Sequence, residues 1–328
     1  MKDEFEFIKR ITPAKKNQRS VLVGIGDDAA VYEAEQGFEQ VVCVDTMVEG
    51  IHFRKDTLLP AHIGYKALAI NISDLAAMGA EPLYYLVSIA IPSHWTEDEI
   101  DDIYRGMSQL AETYKMDLLG GDTVSTDDKL VISVTAIGHV EKGRALLRSR
   151  AKPGDVVFVT GDVGHSAAGL QLLLEFGVHG QFTSNEKILV RKHQRPLPQI
   201  EAGRCFTLSQ SRIALNDISD GLASEAHEIA EASAVTLIIE ADKIPTGTEL
   251  DGYSREKQLE YALFGGEDFQ LIGTVQHKEW QRLKDTCENQ GVMLTAIGYV
   301  QEGEADVVLM DNGKKRRVDK KGYNHFKK

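Results

Sequence analysis

Cysteine is scarce in this sequence, with only Cys43, Cys205 and Cys287 among 328 residues. Their odd number and wide spacing argue against a disulfide framework and against a zinc knuckle, and they favour a reducing compartment. The N-terminal sequence MKDEFEFIKR carries acidic residues and lacks an apolar segment, so it does not resemble a signal peptide. We therefore expect a cytoplasmic protein.

Long hydrophobic runs are also missing. The best apolar segment, residues 83–91, has the length of a strand and falls short of the ~18 residues that a membrane span requires. The formal net charge is −13, and because residues 314–328 hold eight Lys or Arg against one Asp, the rest of the chain carries −20. A body this acidic would repel a nucleic-acid backbone. We expect neither a membrane nor a nucleic acid as a partner.

Several common catalytic motifs are absent. The chain has no Walker A loop, no His-Arg-Asp or Asp-Phe-Gly motif of protein kinases, no Gly-x-Ser-x-Gly nucleophile elbow and no His pair with zinc-ligand spacing. Gly24, Gly26 and Ala29 nearly match the dinucleotide-binding fingerprint, but a polar segment follows them where a helix should begin. These observations argue against a P-loop kinase, a protein kinase, a serine hydrolase and a dinucleotide-binding enzyme.

Strand and helix periodicities alternate along the chain. Strands are predicted at residues 41–46, 83–91, 130–140, 156–160, 236–240, 269–275 and 307–310. Residues 61–78 repeat apolar side chains at helical spacing, and Thr96 with Glu99 forms a capping box that opens a second helix. The segment RAKPGD contains Pro and Gly breakers. The pattern predicts two α/β domains, residues 1–149 and 150–328.

Acidic residues beside glycine recur in the motifs GIGDD, GGDT, DISDG and GGED, and Asp45 and Asp74 add two further points. Each one alone is a common turn residue or helix cap. Together they suit magnesium-bound phosphate, because Mg²⁺ binds one or two carboxylates plus substrate phosphates. Glycine lets backbone N–H groups approach phosphate oxygens closely. The repeated pattern predicts a polyphosphate site with several Mg²⁺ ions.

The motifs occur in the order found in thiamine-monophosphate kinases, and the sequence resembles that family over almost its whole length. The matching segments are GIGDDAAV, VDTMVEGIHF, YKALAINISDLAAMGAEP, LLGGDTV, GRALLRSRAKPGD, VTGDVGHSAAGL, NDISDGLASEA and ALFGGEDFQL. DTMVEGIHF and NISDLAAMGA distinguish this family from aminoimidazole ribonucleotide (AIR) synthetases, selenophosphate synthetases and hydrogenase-maturation factors of the same superfamily. The resemblance implies a two-domain α/β fold of the AIR synthetase type with mixed sheets. It also implies that the N-terminal domain forms a β-barrel at a homodimer interface.

The resemblance implies a kinase reaction, in which ATP phosphorylates thiamine monophosphate to thiamine diphosphate by direct in-line transfer. ATP would be the co-substrate and several Mg²⁺ ions the cofactors. Two alternatives stay open: another ATP-dependent enzyme of the superfamily, such as a ligase or cyclase, and a non-catalytic assembly factor that binds ATP and Mg²⁺. An assay for thiamine diphosphate separates the three.

The resemblance further implies roles for individual residues. The metal ligands would be Asp28, Cys43, Val44, Asp45, Asp74, Asp122, Asp217 and Asp220, of which Asp45, Asp74 and Asp122 would be catalytic. Tyr104, Gly121, Asp122, Arg148 and Ser219 would contact ATP. His52, Glu267 and Tyr323 would contact thiamine phosphate. Many relatives carry Ser-Thr at positions 43 and 44. It therefore stays open whether Cys43 and Val44 contact the metal through their side chains, through the backbone or not at all.

Overall fold

The protein is described by a computed structural model that covers residues 10–13, 15–23 and 30–320. These residues group into two compact units. The first holds the described residues up to Leu75, then Ala80–Gly143 and Gly177–His179; the second holds Ala76–Gly79, Arg144–Phe176 and the described residues from Gly180 onward. The predicted domain boundary between residues 149 and 150 stays a prediction.

The first unit is built on a four-stranded sheet and two long helices. Its elements are β1 (Val21–Val23), β2 (Val31–Tyr32), β3 (Phe38–Val48), α1 (Pro60–Ala77, apart from its last two residues), β4 (Glu81–Pro92), α2 (Glu97–Tyr114), β5 (Asp117–Thr126) and β6 (Val131–Glu141). The strand order is β3-β6-β4-β5, in which β4 and β5 are parallel and the other pairs antiparallel, and β1 pairs with β2 alone. The sheet is open, with β3 and β5 at its edges, so the described residues of one chain form no closed barrel.

Alternation along β3 shows why this sheet has one covered and one exposed face. Met47 is 2% exposed, whereas Val42 and Val44 are 67% and 61% exposed. Successive side chains of a strand lie on opposite faces, so the odd-numbered residues of β3 face the core. The capping box predicted at Thr96 and Glu99 is confirmed at the start of α2.

The second unit has a seven-stranded sheet with helices packed around it. Its elements are β7 (Asp155–Thr160), α3 (His165–Phe176), α4 (Ser184–Gln194), α5 (Ile200–Ser209), β8 (Ile213–Asp217), α6 (Leu222–Ser233), β9 (Thr236–Glu240), α7 (Arg255–Phe264), β10 (Leu271–Gln276), α8 (His277–Glu288), β11 (Leu294–Gln301), β12 (Asp306–Asp311) and β13 (Lys314–Arg317). The strand order is β13-β12-β9-β11-β7-β10-β8, and only β12 and β9 run parallel. Apolar side chains of β7, β9, β10 and α6 form its main core.

The mixed α/β fold predicted from the sequence is confirmed, and both large sheets contain parallel and antiparallel pairs. The predicted strands appear within two residues of their expected bounds in the second unit, because each has an apolar run bounded by turn residues. Over the described ranges, none of the helices combines the length and apolar character of a membrane span.

Candidate functional site

The first group of predicted site residues lies where β3 meets α1. Cys43 and Asp45 are two residues apart on β3, so their side chains lie on the same face of the sheet as Met47. The side chains of Asp45 and Asp74 share a hydrogen bond, and Asp74 also hydrogen-bonds to Cys43. Cys43, Asp45 and Asp74 are called the β3–α1 cluster below.

Asn71 joins the two elements of the β3–α1 cluster. Its Oδ1 accepts a hydrogen bond from the backbone N–H of Asp45 at 3.0 Å, and the Cys43 thiol donates to its carbonyl oxygen at 3.3 Å. Asn71 is fully buried, and its Nδ2 donates to the carbonyl of Ala67 at 3.0 Å. Asp74 lies three residues further along α1, on the same helix face. The sequence reading missed Asn71, although its place in the NISD motif was an available signal.

The electrostatics of the β3–α1 cluster favour a bound cation. Burial raises the pKa of Asp45, while the hydrogen bond with Asp74 and the nearby His52 oppose that rise. Burial raises the pKa of Cys43 well above its ordinary range, and the carboxyl groups of Asp74 and Asp45 raise it further. Cys43 is therefore a neutral thiol at physiological pH. A divalent cation would take the place of the proton that the two carboxyl groups share and would be bound by both.

His52 lies in the turn that follows β3, close enough to Asp45 to lower the pKa of that carboxyl. Its Nδ1 accepts a hydrogen bond from the backbone N–H of Val48 at 3.0 Å. In the neutral ring an accepting Nδ1 leaves the proton on Nε2, whereas only the doubly protonated ring would lower the pKa of Asp45. The turn thus sets both the orientation and the tautomer of His52.

Asp122 lies on the other face of the same sheet. The register pairs Asp122 with Ser88 and Ser88 with Ser133, and Ser133 Oγ accepts a hydrogen bond from Thr46 Oγ1 at 2.9 Å. Thr46 follows Asp45 on β3, so its side chain lies on the opposite face. Within one chain the pleat of the sheet therefore separates Asp122 from Asp45 and Asp74, and the metal-binding role of Asp122 stays a prediction.

The positions of three other predicted site residues follow from packing. Gly121 has a structural role, because a Cβ there would lie 1.9 Å from the carbonyl oxygen of Val87. Val44 lies on the exposed face, directed away from the β3–α1 cluster. Tyr104 on α2 is only 5% exposed, a burial that does not support stacking of an adenine ring on it.

The second group of predicted site residues lies at the end of β8, in residues 217–221, called the DISDG loop below. Asn216 Oδ1 accepts a hydrogen bond from Arg148 Nε at 2.9 Å. Arg148 Nη1 also pairs with Glu228 Oε2 at 3.3 Å, and half of the Arg148 side chain stays exposed. These two contacts hold a cationic guanidinium beside the DISDG loop.

Glu225, in the first turn of α6, organises the DISDG loop. It is buried, and its carboxylate accepts hydrogen bonds from Asn216 Nδ2, from the backbone N–H of Asp220 at 3.1 Å and from Ser219 Oγ at 3.3 Å. Burial, together with the nearby Asp217, raises the pKa of Glu225 to about 7. The sequence reading missed this residue, although an acidic residue in a first helical turn was a signal.

The GGED loop, residues 265–268, folds back onto the DISDG loop. The backbone N–H of Glu267 donates to the carbonyl of Ser219 at 2.7 Å, and Glu267 adopts a φ of 67°. A left-handed backbone is uncommon for a residue with a Cβ and persists only where surrounding contacts enforce it. A Cβ at Gly266 would lie 2.5 Å from the carbonyl oxygen of Ser219, so this close approach requires glycine.

Asp268 anchors the GGED loop to the start of α3. Its carboxylate accepts hydrogen bonds from the backbone N–H groups of Gly164 at 2.5 Å and Ser166 at 2.9 Å. Burial raises the pKa of Asp268 to about 7 against the effect of these two hydrogen bonds. His193 Nδ1 lies 3.0 Å from Ser166 Oγ and 3.4 Å from Glu267 Oε2. Glu267 is thus positioned both by its own backbone and by a buried histidine.

Predicted metal ligands come together in pairs. In the part of the chain that the structure describes, no three His, Cys, Asp or Glu side chains converge on a point that could hold a metal ion. Asp45 lies against Asp74, and Asp217 and Asp220 both lie near Glu225. A pair fits Mg²⁺, which takes one or two protein carboxylates when phosphates and water supply its other ligands. Asp28 and Tyr323 lie outside the described residues.

Two family models match the chain: AIR synthase related protein, N-terminal domain, over residues 26–140, and AIR synthase related protein, C-terminal domain, over residues 152–311. The thiamine-monophosphate kinase of Bacillus subtilis is 52% identical over 99% of this chain and 100% of its own length. The crystal structure of the thiamine-monophosphate kinase from Stenotrophomonas maltophilia matches with a TM-score of 0.82 at 34% identity, covering 90% of this chain and 92% of that one. AaThiL complexed with AMPPCP and TMP matches with a TM-score of 0.78 at 35% identity, covering 92% of both chains. Identity of this level over the full length means that the chain belongs to the thiamine-monophosphate kinase family.

Proposed function

We propose that this protein transfers the γ-phosphoryl group of ATP to thiamine monophosphate, which yields ADP and thiamine diphosphate. The observation that carries the proposal is the 52% identity with a thiamine-monophosphate kinase over the entire length of both chains. The similarity to AaThiL, solved with AMPPCP and TMP, supports the pairing of an adenine nucleotide with TMP as ligands. The absence of a Walker A motif agrees with a nucleotide site of a different kind.

The reaction needs no side chain that removes a proton. The acceptor is a phosphate monoester whose second pKa is about 6, so it is mostly a dianion at neutral pH. Its oxygen attacks the γ-phosphorus in line with the departing ADP, and no phosphoenzyme forms. The activation barrier arises because two anions must be brought together. The protein lowers it by positioning the two phosphates and compensating their charge.

The carboxylates of the first unit are the residues that we propose hold Mg²⁺. Asp45 and Asp74 fit the ion because their carboxyl groups adjoin each other, and Mg²⁺ takes one or two protein carboxylates when phosphates and water supply its other ligands. Asp28 and Asp122 would complete the set. Bound Mg²⁺ would offset the charge of the phosphates. Cys43 is a neutral thiol, which makes it a poor ligand for this hard cation.

The DISDG and GGED loops are the nucleotide- and substrate-binding elements that we propose for the second unit. Arg148 would pair with phosphate oxygens through the part of its guanidinium that stays exposed, while Ser219 would contact the nucleotide. Asp217 and Asp220 would bind further Mg²⁺. Glu267, oriented by His193, would contact thiamine phosphate.

Three further ligand roles complete the proposal. We assign His52 to thiamine phosphate, with its Nε2–H as the donor, because Nδ1 is already used as an acceptor. Tyr323 would face the same substrate. Gly121 would contact ATP through its backbone.

The assay that tests this function incubates purified protein with ATP, thiamine monophosphate and Mg²⁺ and follows thiamine diphosphate by chromatography. We expect stoichiometric ADP and thiamine diphosphate, and complete loss of turnover in EDTA that excess Mg²⁺ restores. ATP hydrolysis without thiamine diphosphate would favour a ligase or cyclase. Binding of ATP without any turnover would favour an assembly factor, and undiminished turnover in EDTA would overturn the metal assignment.

We also propose a homodimer in which the exposed face of the first sheet pairs with its counterpart on a second chain. This face carries Val42 and Val44 on one edge strand and Val124, 50% exposed, on the other edge strand. Apolar side chains on an open sheet face are typical of an interface. Asp122 lies on the same face, so dimerisation would bring it close to a second chain.

Light scattering at micromolar concentration should report about twice the 36.3 kDa chain mass. The double variant Val42→Asp with Val124→Asp places charges on this face and should shift the mass to that of one chain. Leu174→Asp is the matched control, since Leu174 is also an exposed apolar residue (55%) but lies on α3. A wild-type mass of one chain, or a dimer that survives the double variant unchanged, would contradict the proposed interface.

A further inference from the structure

Two cysteines of the second unit meet in its interior although 82 residues separate them in the chain. The distance between Cys205 Sγ and Cys287 Sγ is 2.6 Å. Non-bonded carbon atoms pack at about 3.5–4.0 Å, and sulfur is larger than carbon. Cys205 is 3% exposed and Cys287 is fully buried. The wide sequence spacing that argued against a disulfide therefore says nothing about their separation in space.

The neighbouring aromatic residues fix the separation of the two helices that carry these cysteines. Cys205 lies on α5 beside Phe206, and Cys287 lies on α8 with Trp280 two turns earlier. The rings of Phe206 and Trp280 both contact the ring of Phe158 on β7, with centroid distances of 5.3 Å and 5.9 Å. Because α5 and α8 share this buried support, the two sulfur atoms are held together by the core and do not depend on a flexible loop.

We propose that Cys205 and Cys287 form a reversible disulfide that links α5 to α8, with a low-molecular-weight disulfide as the oxidant. The Cys205 thiolate attacks one sulfur of the oxidant, which releases one thiol and leaves a mixed disulfide on Cys205. The Cys287 sulfur then attacks Cys205 Sγ and releases the second thiol. Each protein sulfur loses one electron, and the two protons leave on the two thiols formed from the oxidant.

The chemistry of the pair is consistent with Cys205 as the attacking residue. Its contact with Cys287 lowers the pKa of the Cys205 thiol against the effect of burial, whereas the same contact raises the pKa of Cys287. A groove of about 580 Å³, lined by Leu208, Ser209, Gln210, Arg282, Leu283 and Thr286, lies between the C-terminal end of α5 and the middle of α8. Leu208 and Leu283 are each about one helical turn from a cysteine. The groove therefore admits a small oxidant beside residues that are one helical turn from each cysteine.

The third cysteine provides an internal control. Cys43 lies in the first unit, where its thiol donates to the carbonyl of Asn71. Trypsin separates the three cysteines, because cleavage after Lys and Arg puts Cys43 in peptide 20–54, Cys205 in 205–212 and Cys287 in 285–314. A bond between Cys205 and Cys287 therefore gives a defined cross-linked peptide pair.

The test equilibrates the full-length protein with oxidised glutathione, both in the native state and during refolding from denaturant, followed by alkylation of remaining thiols and peptide mapping. We expect one alkylated cysteine, Cys43, and the linked peptides 205–212 and 285–314, all reversed by dithiothreitol. The bond closes a long loop, so the oxidised protein should melt roughly 5–10 °C higher than the reduced protein. This difference should vanish in Cys205→Ala and in Cys287→Ala and persist in Cys43→Ala.

In the refolding arm the oxidant meets both thiols before they are buried. Slow access to the interior therefore cannot explain a failed reaction in that arm. Three alkylated cysteines in both arms would overturn the proposal. Cross-links between Cys43 and either of the other two would also overturn it, as would a bond that lowers the melting temperature.

Discussion

Asp74→Asn is expected to lower kcat roughly 10²–10³-fold, which corresponds to about 3–4 kcal/mol of lost transition-state stabilisation. The substitution keeps the side-chain volume but removes the charge that Asp74 contributes beside Asp45. That charge is proposed to hold Mg²⁺ where the two phosphates meet, so its loss acts most strongly during transfer. The measurement is kcat at saturating Mg²⁺, with circular dichroism to establish that the fold persists.

Asp128→Asn is the matched control for Asp74→Asn, because Asp128 is an exposed residue of the same unit in the turn between β5 and β6. It should leave kcat within about twofold. Asp27→Asn provides a second comparison outside the described residues, and it should also be mild because Asn is a good turn residue. Near-normal kcat in Asp74→Asn, or a larger loss in Asp27→Asn, would show that the metal assignment is wrong.

Glu225→Ala is expected to lower the melting temperature by roughly 5–10 °C, which corresponds to about 3 kcal/mol. The variant leaves Asn216 Nδ2, the backbone N–H of Asp220 and the Ser219 hydroxyl without their buried acceptor. The DISDG loop would lose its anchor, so activity should fall together with stability. Calorimetry in metal-free buffer measures the first effect and the thiamine diphosphate assay the second.

Glu231→Ala is the control on the same helix, since Glu231 is exposed and pairs only with the exposed Lys320 in the contacts described. It should change the melting temperature by no more than one or two degrees. The pH dependence gives an independent check. Because the pKa of Glu225 is raised to about 7, its contribution to stability is present at low pH and is lost as the pH rises through 7. The penalty of Glu225→Ala should therefore be larger at pH 5.5 than at pH 8, and the opposite order would contradict the burial of this carboxyl.

The local elements were predictable from the sequence because their signals are short-range. Residues 61–78 repeat apolar side chains at helical spacing, and α1 spans Pro60–Ala77. The side chains of Thr96 and Glu99 each accept a hydrogen bond from the other residue's backbone N–H. The start of α2 therefore follows from four consecutive residues. Asp45 and Asp74 lie together, and their predicted role as metal ligands stays a prediction.

The face on which each site residue lies could not be predicted, because it depends on strand register and packing between distant segments. The motif GGDT gave no sign that Asp122 lies across the sheet from Asp45, since one residue of register reverses every side chain of a strand. Asn71, Glu225, Asp268 and His193 were missed for a related reason. Each acts through buried contacts with segments that the sequence does not place beside it.

By itself, the sequence determined the fold class, seven of the strands and the chemistry to expect, because residue types and periodicities act over a few positions. Only the tertiary structure decided which of those residues meet. It brought Cys205 to Cys287 through a shared contact with Phe158, and it separated Asp122 from Asp45 through the pleat of one sheet. Distances between side chains follow from the packing of whole helices and strands, and no spacing along the chain encodes them.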